Sequence, residues 1–169
     1  QYSGTAGRIE NSQVGVFASY ASRFGHALID RRLYLPKVWA EDAARRTKAW
    51  VPEDVDFSTK PAMAREIVAR TLDAGLPCAW VLADAVYGSD YRFRRMLEDR
   101  GQPYVLAVRS THTLRFLEDW ALVQSDPATL ADDLDKDQWY ALTAGEGSKG
   151  PRLYDWARVS LGWDKGQGF

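Results

Sequence analysis

The chain has 169 residues, 46% of them apolar and 27% charged, with 22 Lys plus Arg against 23 Asp plus Glu and a formal net charge of −1. That balance excludes a uniformly basic nucleic-acid binder and a disordered or collagen-like polymer, and it suits one globular domain of ordinary size. The longest apolar runs, 78–83 and 104–108, fall far short of the roughly 20 residues that a membrane-spanning helix needs, so no membrane association is expected. The single cysteine, Cys78, has no internal disulfide partner and lies in an apolar run, as expected for a small buried side chain in a cytoplasmic protein. Gln1 opens the chain without the pattern of a secretory signal, and the turn-rich stretch 162–169 has no closing helix stop or strand, so both ends read as cut.

In chain order, residues 13–20 and 27–35 are rich in strand formers and flank Phe24-Gly25-His26, which predicts an antiparallel hairpin ended by Pro36. Residues 39–51 form a polar connection with room for a turn of helix. Ser58 or Thr59 can then cap a helix that tolerates Pro61 in its first turn, repeats Ala64, Ile67, Val68, Thr71 and Leu72 at helical spacing, and stops at Gly75. Residues 78–83 are apolar without alternation, as expected for a strand covered on both faces and ending at Asp84. After a Tyr87-Gly88 turn, Ser89 can cap a second helix that presents Phe93, Met96 and Leu97 on one face and stops near Gly101. Residues 104–108 follow as another buried strand.

The predicted order, two strands and then two helix–strand units, implies a mixed sheet in which a hairpin feeds parallel βαβ units. Ligands of such sheets gather at the carboxyl ends of the parallel strands, where Asp84 stands. A carboxylate there can reach a metal ion or polar substrate, or it can simply cap the turn that follows.

Three separated blocks carry a resemblance: Gln1-Tyr2-Ser3-Gly4-Thr5-Ala6-Gly7-Arg8-Ile9-Glu10-Asn11-Ser12-Gln13-Val14-Gly15-Val16-Phe17, then Ala83-Asp84-Ala85-Val86-Tyr87-Gly88, then Gly145-Glu146-Gly147-Ser148-Lys149-Gly150-Pro151-Arg152-Leu153-Tyr154-Asp155-Trp156-Ala157. In this order they resemble the DDE transposases of bacterial insertion sequence family 701, over nearly the whole chain. The resemblance implies an α/β ribonuclease-H-like mixed sheet flanked by helices, incomplete at both ends. It implies a partial core over residues 1–110 and an α+β insertion over 111–169 that leads toward an absent catalytic helix. The activity implied is cleavage and strand transfer of an insertion sequence, by an acidic triad holding two Mg²⁺ or Mn²⁺ ions. Hard cations of this kind prefer carboxylate oxygens, and a pair of them stabilises both the attacking and the leaving oxygen.

Carried over by motif, Asp84 matches the second acid of the triad, a catalytic and metal-ligating position. The first Asp is expected upstream of Gln1 and the Glu beyond Phe169, so no strand transfer and no tight metal binding is expected from these residues alone. Glu146 is not expected to replace that Glu, because Gly145, Gly147 and Gly150 predict a loop around it whereas the family's Glu lies on a helix. Arg8, Arg92, Arg95, Lys149 and Arg152 are the candidate DNA contacts, although the steps among Arg92, Arg94, Arg95 and Arg100 distribute these side chains around their helix. DNA is the expected partner, with self-association of the whole transposase at the nucleoid. Other readings are an inactive remnant that binds DNA or protein, and an unrelated α/β module in which Asp84 is a turn residue.

Within 111–169, Leu114, Leu117 and Ala121 have helical spacing, Asp126-Pro127 predicts a short helix, and the alternation from Arg152 to Val159 predicts a strand.

Overall fold

The computed structural model describes residues 2–3, 6–118, 120–147 and 150–161. The chain divides into two compact units, Gln1–Val108 and Arg109–Phe169.

The first unit begins with a short antiparallel pair, β1 (Tyr2–Ser3) and β2 (Arg8–Ile9). The predicted hairpin follows as β3 (Val14–Ser22) and β4 (Gly25–Tyr34), with a register shift between Ala18 and Ser19. The polar connection folds into two short helices, α1 (Lys37–Ala40) and α2 (Ala43–Lys48). Next comes α3 (Lys60–Asp73), whose N-cap is Thr59: its hydroxyl accepts from Ala62 N at 3.3 Å, and Pro61 sits in the first turn, where its missing N–H costs nothing. Gly75, at φ +74°, ends this helix with Gly75 N and Leu76 N donating back to Leu72 O and Thr71 O.

The parallel pair β5 (Val81–Ala83) and β6 (Tyr104–Leu106) encloses α4 (Ala85–Gly88) and α5 (Tyr91–Asp99). Helix α3 joins two apolar clusters. Met63, Ala64 and Ile67 pack with Val16 of β3, while Val68, Ala69 and Leu72 pack with Val81, Phe93, Met96 and Leu97. Met63, Ile67, Phe93 and Leu97 are fully buried, each contributing about 1.5–3 kcal/mol by leaving water. Two ion pairs tie α3 to the inner face of the hairpin, Arg32 with Glu66 and Arg70 with Asp30. The Arg70 guanidinium, donating to the Asp30 carboxylate, holds that carboxyl below its ordinary pKa.

Several expectations are corrected. A single mixed sheet does not form among the described residues: β3 pairs only with β4, and β5 only with β6. The apolar run 78–83 is a strand only over its last three residues, and it is covered on one face, since Val81 is buried while Leu82 is 74% exposed beside its registered neighbour Val105. Cys78 is half-buried rather than sealed, its thiol donating to Trp80 O. The cap of α5 is Asp90, whose Oδ1 accepts from Phe93 N at 2.8 Å; Ser89 instead donates back to Ala85 O, because Ala85–Gly88 is already helical.

In the second unit β7 (Leu114–Glu118) and β8 (Ala121–Ser125) form an antiparallel hairpin where a helix was expected. Leu114, Leu117 and Ala121 fit a helical period, but Leu114 and Phe116 also alternate inward, and pairing with β8 satisfies the backbone that way. The predicted helix after Asp126 is α6 (Pro127–Asp132), capped by that aspartate, and the turn Lys136–Gln138 precedes β9 (Tyr140–Gly147) and β10 (Gly150–Trp156). Glu146 therefore lies in a strand, paired with Pro151, and not in a loop.

Candidate functional site

Asp84 stands directly after β5, where the parallel pairing with β6 ends at Ala83 and Leu106. Three local features place its carboxylate. First, Asp84 is the N-cap of α4, its Oδ1 accepting from Val86 N at 2.9 Å while its carbonyl accepts from Tyr87 N and Gly88 N. Second, Gly88 lets α4 lie against the end of β6: a Cβ there would stand 2.0 Å from Ala107 O. Third, Arg94 reaches back from α5 and donates to Gly88 O at 2.6 Å. The capping role and a functional role are compatible, because Oδ2 makes no hydrogen bond among the described residues and Asp84 is exposed. Tyr87 packs against both apolar clusters, and its half-burial, reinforced by the Asp84 charge, raises its phenol pKa, so the hydroxyl stays protonated beside the carboxylate.

A pair of hard divalent cations needs several carboxylates. Among the described residues no three His, Cys, Asp or Glu side chains gather into such a group. By themselves these residues do not fit a two-ion centre.

The candidate DNA contacts belong to different elements of the chain. Arg8 is exposed on β2 and pairs with Glu10 at 3.1 Å. Arg152 is exposed on β10, with its guanidinium beside Gly147, and Lys149 lies outside the described residues. Arg92 and Arg95 come together, contrary to the expected scatter of the arginines around the helix, because a step of three returns them to one face of α5, whereas Arg94 turns to Gly88. Arg65 of α3 and Arg100 complete that face; the sequence reading omitted Arg65, and only the packing of two helices brings it there.

No match was found among curated proteins, and none among solved structures. A family profile described as DDE superfamily endonuclease matches residues 1–129, a span that takes in the whole first unit, the β7–β8 hairpin and the start of α6. With most of its length matched, and with an exposed strand-end aspartate inside the match, the chain belongs to the DDE superfamily endonuclease family.

Proposed function

We propose that this chain is the central part of a transposase of the kind found in bacterial insertion sequence family 701, acting on DNA with divalent metal, and that Asp84 supplies one carboxylate of its metal site. The observation carrying the proposal is the placement of Asp84: exposed, at the carboxyl end of a parallel strand, oriented by Val86 N and by the docking of α4. A two-ion centre would need further acids beside Asp84, and a bound metal would supply charge stabilisation for phosphoryl transfer.

A ribonuclease-H-like arrangement is supported by how the two strand pairs are left. Helix α3 packs on both, and β3 and β5 each have an unpaired edge among the described residues. A strand between them would join four strands into one five-stranded mixed sheet. Their second faces, bearing Phe17 and Leu33 on the hairpin and Leu82 and Val105 on the parallel pair, are apolar and exposed, whereas parallel sheets are ordinarily covered on both faces. In this reading residues 1–110 belong to the core and 111–169 to an insertion, and the whole transposase self-associates on its DNA.

The test is Mn²⁺-dependent nicking of duplex DNA by the complete protein that carries this chain. Asp84→Asn keeps the side-chain oxygen that caps α4, so it should leave the thermal midpoint within a few degrees of wild type while reducing nicking at least 100-fold. Nicking unchanged by the substitution would remove Asp84 from the active site.

A further inference from the structure

An open groove of about 350 Å³ runs between α3 and α5, lined by Arg65 from α3 and by Tyr91, Arg92, Arg95, Asp99 and Arg100. Four guanidinium groups face Asp99 in the lining and Asp73 beside Arg100, so the groove carries a net positive charge although the chain as a whole is slightly acidic. Each arginine retains donors for a ligand. Arg65 makes no hydrogen bond or ion pair among the described residues. Arg92 lies over the Tyr91 ring, 5.7 Å from its centroid, and bonds the phenol oxygen through Nε alone. Arg95 uses Nε on Asp99, and Arg100 uses one Nη on Asp73. A guanidinium has five N–H donors, so each of these heads has further donors to present. Asp84 is not among the residues that line the groove.

We propose that this groove binds the phosphodiester backbone of DNA, as a contact surface separate from the Asp84 site. The proposal rests on the reading of the chain as a DNA-acting protein. The backbone from Arg92 to Arg100, the C-cap of α5, rises about 12 Å at 1.5 Å per residue, the length of three to four base-pair steps along a duplex axis. The groove is open to solvent, and planar forks of donors match phosphate oxygens. The contact is sequence-independent: it positions DNA without reading bases.

Binding of the complete protein that carries this chain to a fluorescein-labelled 20-base-pair duplex, followed by anisotropy in EDTA over a series of KCl concentrations, tests the proposal. Each phosphate contact contributes about 0.9 to the slope of log K against log salt, so Arg92→Ala with Arg95→Ala should flatten that slope by about two and weaken binding more than 10-fold at 100 mM salt. Arg92→Lys with Arg95→Lys should restore most of the slope, because counterion release follows charge, and unchanged far-ultraviolet dichroism would exclude unfolding. A wild-type duplex affinity whose slope survives the alanine pair would overturn the groove while leaving the DNA reading in place. Failure of the lysine pair to restore the slope would also overturn it, by showing that the arginines act through packing. No duplex binding by the wild-type protein at 20 mM salt would overturn the groove and count against the DNA reading as well.

Discussion

Gly88→Ala is the substitution that most directly tests how Asp84 is held. Gly88 is buried in an ordinary helical conformation, so its requirement for glycine is one of space rather than of backbone angle. An added Cβ would lie 2.0 Å from Ala107 O, 3.0 Å from Ala107 C and 3.1 Å from Leu106 Cβ. The closest of these atoms belong to the backbone following β6, which is anchored by Ala107 N donating to Ala83 O at 2.9 Å and cannot swing aside as a long side chain would. Overpacking of this kind costs about 1–3 kcal/mol, and separating α4 from β6 would also strain the Arg94 to Gly88 hydrogen bond, worth about 1 kcal/mol or more. Alanine's better helix propensity offsets about 0.5–1 kcal/mol of this. The net expectation is a loss of about 2–3 kcal/mol, read as a fall of about 1 M in the urea midpoint at unchanged m-value. A midpoint within 0.2 M of wild type would refute the reasoning, since it would mean that α4 does not rest on β6 as described.

Two further predictions concern features remote from Asp84. Trp50, at φ +55° and 91% exposed, occupies the position after the C-cap of α2 that glycine fills after α3 and α5, with the same pair of bonds, Trp50 N to Thr47 O and Val51 N to Arg46 O. Trp50→Gly should therefore stabilise the chain by about 0.5–1 kcal/mol in urea denaturation, the relief of the left-handed conformation exceeding glycine's extra unfolded entropy. The Tyr104 phenol donates to Glu98 Oε1 at 2.8 Å, and half-burial together with that acceptor pushes its pKa up to about 12. Because the folded value lies above the unfolded value of about 10, this contribution is complete below pH 10 and is lost as pH rises through 12. Partial exposure to solvent limits the contribution to about 1 kcal/mol or less. Tyr104→Phe should flatten the pH dependence of stability between pH 10 and 12, measured by urea midpoints, and an unaltered profile would sink the assignment.

What the sequence disclosed follows from where local signals act alone. The hairpin, α3 from Thr59 to Gly75, the apolar face of α5 and the aspartate after β5 all depend on short-range features: alternation, caps, helical spacing and a strand end. The misreadings arose where a partner decides. Three apolar residues in 114–121 suit either period, and only the opposing strand β8 selects the hairpin. An unbroken apolar run at 78–83 suggested a strand covered on both sides, yet Leu82 faces out because helices pack on one face only. At the site, Asp84 was visible as a strand-end acid, but the reason for Gly88 was not: a glycine after a tyrosine looks like a turn, and the carbonyl that demands it belongs to residue 107. Arg65 was invisible for the same reason, being brought to Arg92 and Arg95 by the packing of α3 on α5.

The restraints on Asp84 are all supplied by protein groups. Its backbone is fixed by the pairing of Ala83 with Leu106, its carboxylate by Val86 N, and the helix it caps by the contact of Gly88 with Ala107 and by Arg94. These contacts restrain the Asp84 carboxylate from several sides. In the proposed metal site, a carboxylate restrained in this way would lose little conformational freedom on binding a cation, which lowers the entropic cost of assembling the centre. The same logic separates the two surfaces proposed here. Arg94 lies between Arg92 and Arg95 in sequence, yet it turns to hold α4 while its neighbours face the groove, so one helix both orients the acid and presents the cations. Removing Arg92 and Arg95 should therefore change how DNA is held without moving Asp84. Removing Arg94 should do the reverse, loosening α4 while leaving the salt dependence of DNA binding intact.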